Sequence, residues 1–166
     1  ETMFVGREEQ LRDLAALLRK TTPSLVTCRG RRRIGKSTLV REFARQATRL
    51  IAIEGLAPRP GLTDRDQLRA FGRQLAEQTD IPDVALANWP QALQLLGSAG
   101  RNEWTVSLLD EVSWLGGFDT DFPGYLKTAW DTVFRKHAKL VLVLCGSVSP
   151  WITDNILNST GFVGRD

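Results

Sequence analysis

Residues 30–37 read Gly-Arg-Arg-Arg-Ile-Gly-Lys-Ser, and this stretch decides the fold expected of the 166-residue chain. It matches the pattern G-x-x-x-x-G-K-[ST], in which glycines let the backbone wrap closely around a phosphate group. The apolar stretch Ser24–Cys28 precedes it, and a helical pattern over Lys36–Ala47 follows it. Because the motif requires a strand before it and a helix after it, the sequence predicts a phosphate-binding loop.

Each part of this loop has a predicted role at a bound nucleotide. Lys36 supplies a positive charge to the β- and γ-phosphates, and the Ser37 hydroxyl is a ligand for Mg²⁺. Backbone amides and the partial positive charge of the helix N-terminus complete the site. The predicted nucleotide-binding residues of this segment are Gly30, Arg33, Ile34, Gly35, Lys36, Ser37 and Thr38.

Two acidic residues follow the predicted strand Trp104–Leu109. Asp110 is placed to hold Mg²⁺ through a water molecule, and Glu111 is placed to polarise the attacking water. A solvated acidic turn at the end of the strand is the alternative interpretation.

The apolar stretch Leu140–Cys145 predicts a central strand, and serines follow it. Ser147 could contact the γ-phosphate or the attacking water, or it could have only a structural role in the turn. Ser149 precedes Pro150, and this pair is better interpreted as the N-cap and first residue of a helix.

Helical and strand patterns alternate along the chain, which favours an α/β domain with a mainly parallel sheet. A further strand is predicted over Leu50–Glu54, and Thr63 with Asp66 predicts a capping box that opens a helix. The other predicted helices are Arg7–Lys20, Asn88–Leu96, Tyr125–Lys136 and a short one from Pro150. The predicted loops include Ala57–Gly61, Gly97–Glu103 and Gly116–Gly124.

Composition excludes several classes of protein. The chain has 22 Lys and Arg against 19 Asp and Glu, a net charge of +3 that permits an anionic partner without identifying one. Two cysteines and no long apolar run argue against a secreted disulfide scaffold and a membrane span, so we expect a cytoplasmic location. The absence of an Asn-Lys-x-Asp sequence disfavours a GTPase. A start at Glu1 suggests an excised fragment.

Four motifs together resemble those of the archaeal-type ATPases, a branch of the AAA+/STAND group of P-loop proteins. In chain order they are Phe4–Leu11, Gly30–Ser37, Leu108–Glu111 and Leu144–Ser147, with a weaker fifth match at Gly161–Arg165. The resemblance implies ATP and Mg²⁺ as cofactors and a P-loop NTPase fold, a three-layer αβα sandwich with sheet order 5-1-4-3-2. It also implies that Phe4, Val5 and Gly6 contact adenine, although Phe4 and Val5 could instead be a hydrophobic staple on the first helix.

The resemblance further implies that residues 1–166 are the ATP-binding domain of a longer protein. A fifth strand, a helical lid and an effector domain are expected after residue 166, and a homo-oligomer is possible. The leading function is an ATP-hydrolysing switch. The alternatives are a non-hydrolysing module that stays loaded with ATP and a nucleic-acid-associated module of a nuclease-linked ATPase.

The remaining predictions concern single residues. Arg7 and Arg165 are interpreted as phosphate-reaching or as exposed structural arginines. Arg31–Arg33 either attract the phosphates of a nucleotide or nucleic acid or form a solvated basic lip of the loop. His137 lies at a helix end, where a cation is favoured, and is expected to be structural. Trp114 and Trp151 are expected to pack in the core. The implied strand order makes Cys28 and Cys145 buried neighbours without a disulfide bond.

Overall fold

The structure of the chain is a computed structural model that describes residues 12–28 and 36–157. Within these residues, four strands form one parallel sheet in the order β1-β4-β3-β2. They are β1 (Ser24–Cys28), β2 (Arg49–Glu54), β3 (Thr105–Asp110) and β4 (Leu140–Cys145). This order confirms the predicted arrangement of the first four strands, with the wholly apolar β4 in a central position.

Helices connect and follow the strands. Residues 12–17 form α1. The other α-helices are α2 (Lys36–Ala44), α3 (Asp64–Gln78), α4 (Trp89–Ser98), α5 (Val112–Leu115), α6 (Phe122–Thr132) and α7 (Pro150–Ile152). A 3₁₀ helix over Phe134–Lys136 follows α6, and a π-helical turn over Thr153–Leu157 follows α7.

The sheet lies between two layers of helices, as the predicted αβα sandwich requires. Successive residues of a strand point to opposite faces. On one face, Leu142 and Leu144 pack in an apolar cluster with residues of α3, α4 and α6. On the other face, Val141 and Val143 pack with residues of α1 and α2, among them Phe43.

Two predicted loops are partly helical. The prediction of a loop from Gly97 was wrong, because α4 continues through Ser98. Gly97 is buried there, and a Cβ atom at its position would clash with Cγ1 of Val133. The prediction of a loop up to Gly124 was also wrong, because α6 begins at Phe122, whose ring is buried. Close packing at Gly97 and burial of Phe122 therefore outweigh the local signals for a loop.

Other helix ends differ from the predicted bounds by a few residues. The prediction that α2 reaches Ala47 was wrong, because regular helix ends at Ala44 and two tighter turns follow. In these turns the amides of Gln46 and Ala47 each donate to a carbonyl three residues earlier, at 3.0 Å. The first helix likewise ends at residue 17 rather than at Lys20. Such single turns at helix ends are common, and the apolar pattern cannot distinguish them from regular helix.

The predicted capping box is present at the start of α3. The Thr63 hydroxyl accepts from the Asp66 amide at 3.2 Å, and the Asp66 carboxylate accepts from the Thr63 amide at 3.0 Å. These hydrogen bonds to Thr63 lower the pKa of Asp66. They fix the start of the helix that runs along the outer side of β2.

His137 is fully buried between the 3₁₀ helix and β4. Within the described part of the chain, neither ring nitrogen has a hydrogen-bond partner. Burial lowers the pKa of His137, and the nearby backbone of Gly100 only partly opposes this effect. Burial therefore opposes the cation that the end of a helix favours, and the buried position of His137 agrees with the structural role expected of it.

We expect this histidine to make the free energy of unfolding depend on pH. The pKa is lower in the folded than in the unfolded state, so the unfolded state binds more protons as pH falls below about 6.5. The free energy of unfolding should therefore decrease when the pH is lowered from about 7.5 to about 5, and the decrease should be smaller in His137→Gln. Urea unfolding of both proteins at both pH values measures the difference. An equal loss in the two proteins would contradict the prediction.

Candidate functional site

The candidate site lies where the carboxyl ends of parallel strands meet at one edge of the sheet. Helix α2 starts there with Lys36, Ser37 and Thr38, whose backbone is helical. The side chains of these three residues lie outside the described part of the structure. The other predicted binding residues also lie outside it: Phe4, Val5, Gly6, Gly30, Arg33, Ile34 and Gly35, together with Arg7, Arg31, Arg32 and Arg165.

The N-terminus of α2 is suited to an anion. Its first turn contains no acidic residue, so no carboxylate of that turn opposes the partial positive charge of the nine-residue helix. Lys36 adds a full positive charge in the same turn. Phosphate is one of the anions that bind at the N-terminus of a helix.

Asp110 is the last residue of β3, and strand register fixes its place in the site. Leu109 pairs with Leu144, so Asp110 is level with Cys145, which in turn pairs with Cys28 at the end of β1. Two strand spacings, about 10 Å, therefore separate the backbone of Asp110 from the end of β1. This gap fits a carboxylate that reaches a phosphate-bound cation through water.

The carboxylate of Asp110 also orders the backbone that follows it. Its Oδ1 atom accepts a hydrogen bond from the Glu111 amide at 3.0 Å. Glu111 is in the left-handed region, with φ 53°, and is the N-cap residue of α5. Among the described residues, it is the only one other than glycine with a positive φ. Such a conformation is costly, and it persists where surrounding contacts enforce it.

Two glycines that follow the neighbouring strands leave room for Glu111. A Cβ atom at Gly55, after β2, would lie 2.8 Å from the Glu111 carbonyl oxygen. A Cβ atom at Gly146, after β4, would lie 3.2 Å from the Glu111 Cα and 3.4 Å from its Oε1. The Glu111 carboxylate thus lies beside the end of β4. With 8% of its surface exposed, Glu111 does not fit the alternative of a solvated acidic turn.

Sequence reasoning missed these two glycines. The signal was present, because a glycine comes directly after each of the strands that flank β3. Gly146 has φ 103°, which a residue with a side chain rarely adopts. Its amide donates to the Cys28 carbonyl at 3.2 Å and so ties the end of β4 to the end of β1.

The serines after β4 differ in their surroundings. Ser147 is exposed next to Gly146, at the same edge of the sheet as Glu111. Its contact with a γ-phosphate stays a prediction. Ser149 Oγ accepts from the Ile152 amide at 3.2 Å, which confirms Ser149 as a helix cap.

The tryptophans near the site also differ. Trp114 is half-buried, and its Cβ lies 2.9 Å from the position that a Cβ at Gly55 would take. The expectation that Trp151 packs in the core was wrong, because 44% of its surface is exposed. Helix α7 has three residues, and Ile152 occupies its buried position.

The site offers few protein ligands to a metal ion. In residues 12–28 and 36–157, no group of three or more His, Cys, Asp or Glu side chains could hold one. Mg²⁺ is usually held by one or two carboxylates with waters and substrate phosphates, and Asp110 is a carboxylate of this kind at the carboxyl edge of the sheet. Cys28 and Cys145 are buried neighbours in register without a disulfide bond, as predicted. The part of the chain that the structure describes contains no helix long and apolar enough to span a membrane.

Comparison with known sequences identifies one matching family. The profile described as the AAA ATPase domain matches residues 3–144, which include the predicted phosphate-binding loop, Asp110 and Glu111. No curated protein sequence matches this chain.

Several solved structures share the fold at low sequence identity. Cdc6p from Pyrobaculum aerophilum is 20% identical, with a TM-score of 0.60 over 96% of this chain and 44% of that one. A Walker-type ATPase of Pyrococcus abyssi is 21% identical, with a TM-score of 0.54 over 90% and 47%. The Aeropyrum pernix ORC2 protein, solved as ADPNP–ADP complexes, is 14% identical, with a TM-score of 0.55 over 98% and 45%. The chain spans less than half of the length of each of these proteins.

Proposed function

Since this chain belongs to the AAA ATPase domain family, we propose that it binds Mg-ATP, hydrolyses it and acts as a switch domain of a longer protein. The observation that carries the proposal is the placement of Glu111. Glu111 is buried, has a left-handed conformation, lies close to Gly55 and Gly146, and is adjacent to Asp110 at the carboxyl edge of the sheet. A strained, buried carboxylate at such an edge is typical of a residue kept for chemistry.

Nucleotide binding would use the start of α2. Lys36 and the backbone amides of the loop and first helical turn would hold the phosphates, and Phe4, Val5 and Gly6 would contact adenine. Ser37 and Asp110 would hold Mg²⁺, Asp110 through water, and the ion would neutralise charge that develops on the phosphates. The Aeropyrum pernix ORC2 protein, which shares the fold, was solved with ADPNP and ADP, and this supports an adenine nucleotide here.

Hydrolysis would depend on Glu111 and on how it is positioned. Its carboxylate would accept a proton from the attacking water or orient that water toward the γ-phosphate. The Glu111 amide donates a hydrogen bond to Oδ1 of Asp110 at 3.0 Å. This bond fixes the backbone of Glu111, so its side chain leaves the turn at a defined position. Ser147, exposed beside Gly146, would contact the γ-phosphate and report its loss.

Thermal unfolding with Mg-ATP, with Mg-GTP and without nucleotide tests the binding step. For a Kd of about 10 μM, about 1 mM Mg-ATP should stabilise the chain by about 2.7 kcal/mol. For a domain of this size, that corresponds to a rise of about 5–10 °C in the unfolding temperature. We expect a smaller rise with Mg-GTP and none in Lys36→Ala, which removes the charge at the phosphates.

The matched control is Lys20→Ala, because Lys20 is exposed and lies before β1. This variant should keep the full Mg-ATP shift. An equal shift in wild type and Lys36→Ala, or no shift in wild type, would contradict the proposed binding site. A switch domain would also need the lid and effector domain expected after residue 166, and a homo-oligomer or a nucleic-acid partner stays a prediction.

A further inference from the structure

The outer edge of β2 lacks a neighbouring strand in the described sheet. An edge strand presents unpaired N–H and C=O groups that can pair with a strand of another chain. The risk is increased here by the apolar run Leu50–Ile53 within β2. The outward-facing groups include those of Ala52, Glu54 and, just beyond the strand, Leu56.

Three glutamines of α3 pair with these groups, one glutamine for each residue. Gln78 accepts from the Ala52 amide at 2.8 Å and donates to its carbonyl at 2.8 Å. Gln74 does the same with Glu54, at 2.9 and 3.1 Å. Gln67 does the same with Leu56, at 2.9 Å in both directions. We call Gln67, Gln74 and Gln78 the glutamine ladder.

The ladder reproduces the pairing that a strand would provide. A side-chain amide carries one carbonyl and one NH₂ group, so it can satisfy both the donor and the acceptor of a backbone residue. Seven and four residues separate the three glutamines, which puts them on one face of the helix. The order of the pairs shows that α3 runs antiparallel to β2.

Two of the ladder side chains make a second hydrogen bond, which fixes the orientation of their amide groups. Nε2 of Gln74 also donates to the Ala70 carbonyl at 3.2 Å, and Nε2 of Gln78 also donates to the Gln74 carbonyl at 2.8 Å. At the end of the helix, the Arg49 guanidinium donates to the Gln78 carbonyl at 3.2 Å. Gln67 is buried, with 1% of its surface exposed.

We propose that the glutamine ladder closes the β2 edge against strand addition by a second copy of this chain. Docking of α3 alone does not require these residues, because apolar side chains such as Phe71 and Leu75 already pack the helix on the sheet. Amides at these three positions instead pair with three N–H and three C=O groups that a foreign strand would use. The proposal rests on β2 and α3 only, so it is independent of nucleotide binding.

Replacement of all three ladder residues by methionine tests the proposal, since methionine has a similar length but no amide. Hydrogen exchange of the Ala52, Glu54 and Leu56 amides should become at least about tenfold faster, which corresponds to about 1.4 kcal/mol, the scale of one hydrogen bond. In sedimentation velocity, the variant should associate further than wild type as concentration rises. The control is Gln46→Met with Gln94→Met, because both glutamines are exposed and lie outside the ladder.

A single replacement keeps the test valid if the triple variant does not fold. In Gln74→Met, exchange should accelerate at Glu54 and stay slow at Ala52 and Leu56. Unchanged exchange at Glu54 would overturn the proposal. So would faster exchange in the folded triple variant with the same association state as wild type, because the edge would then be open without accepting a strand.

Discussion

Glu111→Gln should lower ATP turnover by about 100-fold or more while the Mg-ATP stabilisation stays at the wild-type value. A positioned general base contributes about 10²- to 10⁴-fold to a rate, and glutamine keeps the shape of the side chain but cannot accept the proton. The phosphate-binding contacts proposed for α2 do not involve Glu111, so binding should survive. Phosphate release under saturating Mg-ATP, with thermal unfolding in parallel, measures both effects.

The control for this variant is Glu77→Gln, which removes an exposed carboxylate from α3, away from the carboxyl edge of the sheet. It should leave turnover unchanged. Wild-type turnover in Glu111→Gln would contradict the catalytic role. A wild-type chain that binds Mg-ATP but releases no phosphate would favour the non-hydrolysing module instead.

Gly55→Ala should destabilise the fold by about 2–3 kcal/mol, which is the upper part of the range for overpacking. The added Cβ would lie 2.8 Å from the Glu111 carbonyl oxygen and 2.9 Å from the Leu115 amide nitrogen. Both are backbone atoms, so no side-chain rotation can relieve the contact and the turn from β3 into α5 must move. The expected fall in unfolding temperature is about 5–10 °C.

Gly124→Ala is the matched control for this substitution. Gly124 lies in α6, and a Cβ atom there would have no neighbour within 4 Å. Alanine is favoured over glycine inside a helix by up to about 1 kcal/mol, so stability should stay constant or rise. Equal unfolding temperatures for Gly55→Ala and Gly124→Ala would contradict the prediction, because the turn beside Glu111 would then accept the added Cβ without a loss of stability.

Much of the fold was predictable because local signals and the final packing agree. The apolar stretch of β1 has the predicted bounds, and Thr63 with Asp66 marked the start of α3 correctly. The prediction failed where a residue with a loop preference has a packing role. Gly97 allows α4 to approach Val133, and this contact depends on a residue far away in the sequence.

The sequence proposed the residues of the candidate site, whose roles stay predictions, but it did not show their geometry. The order of motifs identified Asp110 and Glu111, since a strand followed by two acids is visible in the sequence. The left-handed conformation of Glu111 and its closeness to Gly55 and Gly146 depend on three strands that meet in space. The glutamine ladder was missed for the same reason, because a glutamine that binds a strand edge looks like any polar helix residue.

The position of β4 has a consequence for the order in which the chain can fold. In the described sheet, β1 pairs with β4 alone, and Ser24 is more than a hundred residues from its partner Val141. During synthesis at about 5–20 residues per second, β1 therefore emerges roughly 6–23 s before its partner. Until then the side chains of β1 have no sheet to join. A nascent chain that stops before Leu140 lacks β4, so the edges of β1 and β3 that β4 would cover are open to chaperones. The last strand of this sheet to be made is thus the one that joins β1 to the rest of it.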